Sequence, residues 1–318
     1  MKPICKSVSI RVPATSANLG SGFDTAGIAL DYADSLVFTL DDSSNLRVII
    51  HGEGEDTLPR DETHLVVSTF YKACEIFNLP RLSFTLEAYN KIPQARGMGS
   101  SASAIVSGVA AAWSFSHEGE LDREKIFEIA SKIEGHPDNV APAVFGGLTM
   151  SWKNCEEFHT VRYDVSSDIR STIFVPNFTL STEEARRALP EKVPYGDAIF
   201  NVSRASLLPV AFGDLSDSFA KTTLSRSDLL FESTQDALHQ KYRASLMQPT
   251  WDLVKALRDA GFAATISGAG SCAIVFYVGS SASEDMQIEK IAQPWLLRDD
   301  WRVLHVPVDP TGVAITRE

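Results

Sequence analysis

Apolar and polar positions alternate near the start of the chain. Val8, Ile10 and Val12 are separated by Ser9 and Arg11, the period of a half-buried strand. Two short apolar runs follow, Leu36-Val37-Phe38-Thr39-Leu40 and Val48-Ile49-Ile50, and their Asp, Ser, Asn and Gly borders predict further strands. The pattern then predicts a helix over 63–77 and a strand over 82–86. After a Gly/Ser loop come a small-residue apolar helix over 101–113, a charged amphipathic helix over 122–134, and strands over 147–152 and 158–163. A second half begins near 164–168. Helices are expected there over 182–189, 197–212, 233–247 and 250–260, with strands over 171–176, 262–267, 272–278 and 302–307. Strands and helices interleave without the steady alternation of a doubly wound parallel sheet, so the pattern predicts an α+β fold. At 318 residues the chain exceeds the size at which one core stops growing. The expected division is 1–165 and 166–318.

Composition narrows the function classes. Hydrophobic residues at 44% and charged residues at 22% are ordinary for a globular protein and argue against extended disorder. No apolar run is long enough to span a bilayer. The opening residues Met1-Lys2-Pro3-Ile4-Cys5-Lys6-Ser7 lack the apolar stretch of a secretory leader, so a cytoplasmic location is expected. The net charge of −12, from 29 basic and 41 acidic side chains, disfavours nucleic acid or an anionic membrane as a partner. Cys5, Cys74, Cys155 and Cys272 form no CxxC pair and read as reduced thiols. The histidines are scattered, so no transition-metal site is expected.

The most informative segment is Pro93-Gln94-Ala95-Arg96-Gly97-Met98-Gly99-Ser100-Ser101-Ala102-Ser103-Ala104. Two glycines one residue apart allow a tight turn and close backbone approach to a ligand. Ser100 and Ser101 then open a helix whose free N–H groups and positive dipole end suit a phosphate. Their hydroxyls can bind phosphate oxygens or ligate Mg²⁺. No GK[ST] follows, and no glycine completes a GxGxxG. The plain alternative is a Gly/Ser turn with serine caps on a core helix.

Two further segments stand in order around this loop: Pro13-Ala14-Thr15-Ser16-Ala17-Asn18-Leu19-Gly20-Ser21-Gly22-Phe23-Asp24 before it, and Ser267-Gly268-Ala269-Gly270-Ser271 after it. Together the three resemble the substrate motif, phosphate loop and C-terminal glycine loop of the GHMP kinase superfamily, over essentially the whole chain. The first string is close to the signature of the homoserine kinase subfamily, and lacks the GEH-like triplet of mevalonate and galactose kinases. Glu134-Gly135-His136-Pro137-Asp138-Asn139-Val140-Ala141-Pro142 is similar to that subfamily's HxDNVAP pattern. The resemblance implies a two-domain GHMP kinase fold, an N-terminal ribosomal-protein-S5-like domain followed by a ferredoxin-like α+β domain. It also implies ATP and Mg²⁺ as cofactors, a homodimer, and phosphorylation of L-homoserine to O-phospho-L-homoserine in threonine biosynthesis. The alternatives are a GHMP kinase for another small alcohol and a non-catalytic ligand-binding member of the fold.

The same resemblance implies site residues. Pro93, Arg96, Gly97, Met98, Gly99, Ser100, Ser101, Ala102 and Ser103 form the expected ATP-binding segment, with Ser101 and Glu134 on the metal and Glu128 competing with Glu134. Homoserine carries an ammonium, a carboxylate and a hydroxyl. Asp24 and Asn18 can hold the first and orient the last, Asn18 reading equally as a left-handed turn residue. Arg204 and Arg243 sit where the family places carboxylate-binding arginines, whose planar forks suit that group. Arg186, Arg187 and Arg226 read as surface charges. Asp138 takes the hydroxyl proton or orients the hydroxyl, Asn139 supports it or caps the next helix, and His136 contacts substrate or is a satisfied histidine. The third loop is expected to pack against the phosphate loop. His64 stands where relatives often carry a base-binding Asn, which leaves the base to the neighbouring backbone.

Overall fold

The computed structural model describes residues 2–41, 45–214, 222–279, 282–298 and 301–318. Its first layer is a sheet containing Ser7–Asn18 (β1), Gly22–Leu40 (β2), Arg47–Gly52 (β3), Phe84–Asn90 (β4), Leu148–Asn154 (β5) and Glu157–Tyr163 (β6). β1 and β2 form a long antiparallel hairpin. β4 pairs with β2 and carries β3 in parallel, while β5 joins the start of β2 and pairs with β6. Leu65–Ile76 (α1), Ser100–Ser116 (α2), Arg123–Glu134 (α3) and Val140–Phe145 (α4) close one core with the apolar face of this sheet. Phe38, Phe70, Phe84 and Phe115 are fully buried there, with the Phe70 and Phe84 rings 4.7 Å apart. Each such side chain contributes roughly 2–3 kcal/mol of burial. α2 is apolar almost all round and buried accordingly. A Cβ at Gly108 would meet backbone atoms of Phe70 and Val66 at 2.8 Å, so the small residues of α2 are what let α1 lie against it.

The second layer is a sheet in the order β10-β7-β9-β8, built from Ile169–Val175 (β7), Ala263–Ile266 (β8), Ala273–Val278 (β9) and Arg302–Pro307 (β10), all antiparallel. Around it lie Thr182–Arg187 (α5), Tyr195–Ala205 (α6), Leu208–Phe212 (α7), Arg226–Ser233 (α8), Gln240–Arg243 (α9), Gln248–Asp259 (α10) and Ala282–Leu296 (α11). The last strand, Ala314–Arg317 (β11), returns to the first sheet and pairs with β1. A unit of residues 166–318 therefore does not hold together in space at its end: Val313 is buried in the first core.

Two expected helices differ in the structure. The helix expected over 197–212 breaks between α6 and α7, where Pro209 sits in the first turn of the second piece. The helix expected over 233–247 is instead the end of α8, a turn and the four-residue α9. Asp236 causes this: its carboxylate accepts the amides of Leu238, His239 and Gln240 at 2.8–3.1 Å and holds a turn there. In the first motif only residues 19–21 lie outside the strands, because Thr15, Ser16 and Ala17 continue the ladder with β2. α11 and β11 had no counterpart in the expected pattern.

Among the described residues no helix is long and apolar enough to cross a membrane. A second core joins the layers: Ala14, Leu19 and Ile28 from β1–β2 and Met98 from the phosphate loop pack with Ile173, Ile274, Leu208 and Phe212. The three glycine-bearing motifs meet along this seam.

Candidate active site

Hydrogen bonds stitch the three motifs together. Thr15 N–H donates to Met98 O at 3.1 Å, Gly268 N–H to Ala17 O at 3.1 Å, and Cys272 N–H to Arg96 O at 3.0 Å. Ser267 Oγ donates to Gly97 O at 2.6 Å and lies 2.9 Å from Ser16 Oγ. Asn18 spends its amide here: Nδ2 donates to Gly268 O at 2.7 Å, and Oδ1 accepts Asp24 N–H at 3.0 Å. Its φ is +71°, the left-handed value of a turn residue, and it lines the cavity while tying these loops together.

The phosphate loop depends on its glycines. Gly97 and Gly99 have φ of +77° and +70°. A Cβ on Gly97 would lie 2.0 Å from Ser267 O, and one on Gly99 1.9 Å from Thr15 Oγ1. Gly99 is the N-cap of α2, and no side chain caps that helix end. The serines do not act as caps; Ser101 Oγ donates instead to Glu134 Oε2 at 2.8 Å. The helix start is left open to an anion.

A cavity of about 280 Å³ lies over this helix start, lined by elements of all three motifs and by Asp138, His136, Arg186 and Arg243. Asp138 is buried, and its Oδ1 accepts from His136 Nδ1 at 3.1 Å. That bond raises the pKa of His136, with Glu134 adding to it and burial opposing it. Asn139 does not cap α4; its Oδ1 accepts from Thr15 Oγ1 at 2.8 Å. Asp24 faces the cavity and takes a two-point ion pair from Arg186, at 2.8 and 2.9 Å. This pair raises the pKa of Arg186. Arg243, only 2% exposed, donates through Nε to Ala185 O at 3.1 Å and lies over the Phe23 ring. Burial lowers its pKa, and Asp24 is the chief opposing influence.

Glu134 and Glu128 separate cleanly. Glu128 lies on the far face of α3, paired with Lys125 and Lys132 at 2.8 and 2.6 Å. Glu134 lines the cavity, and burial raises its pKa against the Ser101 hydrogen bond. A partly buried carboxylate beside a hydroxyl, with no lysine or arginine pairing it among the described residues, fits a hard cation. Among those residues no group of three or more His, Cys, Asp and Glu could hold a metal. The two side chains suit Mg²⁺, which takes few protein ligands and shares phosphate oxygens.

A second cavity, of about 270 Å³ and more apolar, adjoins the first at Ala95, Ser100 and Ser101. Ser103, Asp34 and His64 line it. His64 is 4% exposed and neither ring nitrogen has a hydrogen-bond partner. Burial lowers its pKa, leaving a neutral imidazole with one donor and one acceptor.

Not every expected residue reaches these cavities. Pro93, Arg96, Met98 and Ala102 do not line them: Met98 and Ala102 are fully buried, and the Arg96 guanidinium ties the carbonyls of Gln94, Pro176 and Asn177. Arg204 lies elsewhere, paired with Glu232 at 3.1 Å and stacked on Phe200. Arg186 lines the first cavity, which Arg204 does not. The surface reading of Arg186 fails because α5 turns Arg187 outward to Glu183 and Arg186 inward to Asp24. His239, behind Arg243, also gave no signal in the sequence.

The sequence matches the GHMP kinases N terminal domain over residues 64–147 and the GHMP kinases C terminal family over 220–296. It is 41% identical to the homoserine kinase of Clavibacter michiganensis subsp. michiganensis, covering 98% of this chain and 94% of that one. With the homoserine kinase of Leifsonia xyli subsp. xyli it shares 42% identity over 98% of this chain and 93% of that one. The fold matches that of homoserine kinase from Cytophaga hutchinsonii, with a TM-score of 0.83, 23% identity and 99% of both chains covered. It also matches L. major mevalonate kinase in complex with R-mevalonate, with a TM-score of 0.68, 13% identity and 98% and 99% of the chains covered. Sequence, fold and the meeting of the three motifs agree: the chain belongs to the GHMP kinase family, among its homoserine kinases.

Proposed function

We propose that this protein transfers the γ-phosphoryl group of ATP to the side-chain hydroxyl of L-homoserine, releasing ADP and O-phospho-L-homoserine. The observation that carries this reading is the charge set of the first cavity. One carboxylate, Asp24, and two guanidinium groups, Arg186 and Arg243, face the same space as Asp138 and the open start of α2. That set complements an ammonium, a carboxylate and a hydroxyl on one small molecule.

The roles follow from position. The free amides at the start of α2 and the Ser100 hydroxyl hold the nucleotide phosphates. The base enters the second cavity, where neutral His64 can offer one ring nitrogen, as donor or acceptor, to the polar edge of adenine. Ser101 and Glu134 hold Mg²⁺, which when bound neutralises phosphate charge. Arg243 and Arg186 take the substrate carboxylate, and Asp24 takes its ammonium. Asp138, steadied by His136, accepts the hydrogen bond of the hydroxyl and aims its oxygen at the γ-phosphorus. A loose phosphoryl-transfer transition state asks chiefly for such alignment. The O–P bond forms as the bond from the γ-phosphorus to the bridging oxygen of ADP breaks, and the hydroxyl proton passes along its hydrogen bond to the Asp138 carboxylate once the substrate oxygen carries phosphorus.

A coupled ADP-release assay with ATP and Mg²⁺ against homoserine, mevalonate, galactose and no acceptor tests this. Release with homoserine alone supports the reading. Equal release with another alcohol refutes the substrate, and silence with all from folded, nucleotide-binding protein refutes the activity.

A further inference from the structure

His239 is completely buried, and nothing in the phosphoryl-transfer chemistry above uses it. Its surroundings fix its tautomer. Nε2 lies 2.8 Å from Gly20 O, a pure acceptor, so Nε2 carries the proton. Nδ1 is then a lone-pair acceptor, and it lies 3.2 Å from Arg243 Nη1. The imidazole also stacks on Phe23, with ring centroids 4.9 Å apart, and Phe23 is the ring over which the Arg243 guanidinium lies. Burial favours the neutral form that this arrangement requires, with Arg243 acting in the same direction and Asp236, 3.7 Å away, opposing.

Arg243 is thereby clamped from two sides, by Ala185 O on Nε and by His239 on Nη1, and its other donors remain for the cavity. The other end of the imidazole grips the turn of the first motif. Asn201 and Ser21 brace the same turn: Asn201 Nδ2 donates to Ser21 O at 2.6 Å, and Ser21 Oγ to Ser233 O at 2.6 Å. The side chain links the loop carrying Asp24 to the arginine expected to bind the carboxylate.

We propose that His239 is a positioning residue for substrate recognition, a neutral imidazole that holds the Gly20 turn with one nitrogen and orients the Arg243 guanidinium with the other. This rests on the reading of Arg243 as the carboxylate-binding group. A guanidinium on a long side chain loses affinity for a planar anion when it is free to rotate, because ordering it then falls to the binding step.

Two amide replacements separate the nitrogens. In His239→Asn the Oδ1 atom falls near the position of Nδ1 and restores the acceptor for Arg243. In His239→Gln the Nε2 amide falls near the imidazole Nε2 and restores only the donor to Gly20. Steady-state kinetics on both, on His239→Leu and on Arg243→Gln, with melting temperatures alongside, test the inference. We expect His239→Leu and His239→Gln to raise KM for homoserine about ten- to hundredfold with kcat and KM for ATP within about twofold, and His239→Asn to recover most of the loss. Should His239→Leu fail to fold, the Asn and Gln pair carries the comparison. If Arg243→Gln raises KM for homoserine while the His239 variants do not, the proposal falls and the carboxylate reading stands. Unchanged KM in Arg243→Gln overturns both. Equal losses in KM for both substrates in every His239 variant mean a merely structural histidine.

Discussion

Arg186 reaches across 162 positions of sequence to grip Asp24 in a two-point ion pair at 2.8 and 2.9 Å, inside the cavity above the phosphate loop. Both side chains are 39% exposed, so the pair adds less than about 1 kcal/mol to stability. Its value lies in binding. A zwitterionic amino acid brings one charge of each sign and can exchange partners with the pair, its ammonium going to Asp24 and its carboxylate to Arg186, with no charge left uncompensated.

Arg186→Gln is accordingly expected to raise KM for homoserine about ten- to hundredfold while moving KM for ATP by less than about twofold. Arg204→Gln, remote from the cavity, is expected to stay within about twofold of the parent in both. Steady-state kinetics on the two variants check this directly.

Glu134 and Glu128 give a second contrast. Glu134→Gln removes the partly buried carboxylate beside Ser101 and is expected to lower kcat at least about a hundredfold, with more Mg²⁺ needed for half-maximal rate. Glu128→Gln breaks only exposed pairs with Lys125 and Lys132 and is expected to leave the rate unchanged. Burial raises the Glu134 pKa, so its charged form is lost earlier on acidification than that of an ordinary carboxyl. Activity without saturating Mg²⁺ is expected to fall as pH drops through that raised value, a fall that a Mg²⁺ titration at two pH values would measure.

His64 is the test of nucleotide recognition. His64→Leu removes both ring nitrogens beside the second cavity and is expected to weaken ATP binding about tenfold, measured by calorimetric titration, with homoserine affinity unchanged. His64→Asn keeps a donor and an acceptor and is expected to retain most of the affinity.

Asp34 predicts a pH dependence of stability. It is buried, it accepts the amides of Lys91 and Ile92 at 2.7 and 2.9 Å, and burial pushes its pKa up to about 6. Between the ordinary carboxylate value and about 6 the native state binds the proton more tightly than the unfolded chain. The contribution of Asp34 to stability therefore falls as pH rises through that window and stays low above it. Asp34→Asn keeps an oxygen acceptor for both amides. Denaturant unfolding at pH 7 is expected to show it more stable than the parent by about 1–3 kcal/mol, with the gap closing toward pH 4.

Much of this architecture was legible locally. The hydrophobic periods located α1, α2, α3 and, β11 apart, strands in both sheets, and the glycine spacing located the phosphate loop. Elements set by distant partners were not. Asp236 breaks an otherwise helical pattern by accepting the amides of Leu238, His239 and Gln240, a choice that composition does not announce. The Glu-Glu-Ala-Arg-Arg run of α5 reads as a solvated face, because nothing near it says that one arginine turns toward Asp24. Arg204 and Arg243 look alike in sequence, and only the burial of Arg243 between Ala185, His239 and Phe23 tells them apart.

The central claim is that the cavity reads both charges of the amino acid and its hydroxyl together. The direct measurement is ADP release with ATP and Mg²⁺ on homoserine, 4-hydroxybutyrate and 3-aminopropan-1-ol, each of the last two lacking one charged group. Release with homoserine, and kcat/KM at least about a hundredfold lower with either analogue, is the predicted result. Comparable kcat/KM on 3-aminopropan-1-ol would contradict the account, because Arg186 and Arg243 would then have no carboxylate to bind.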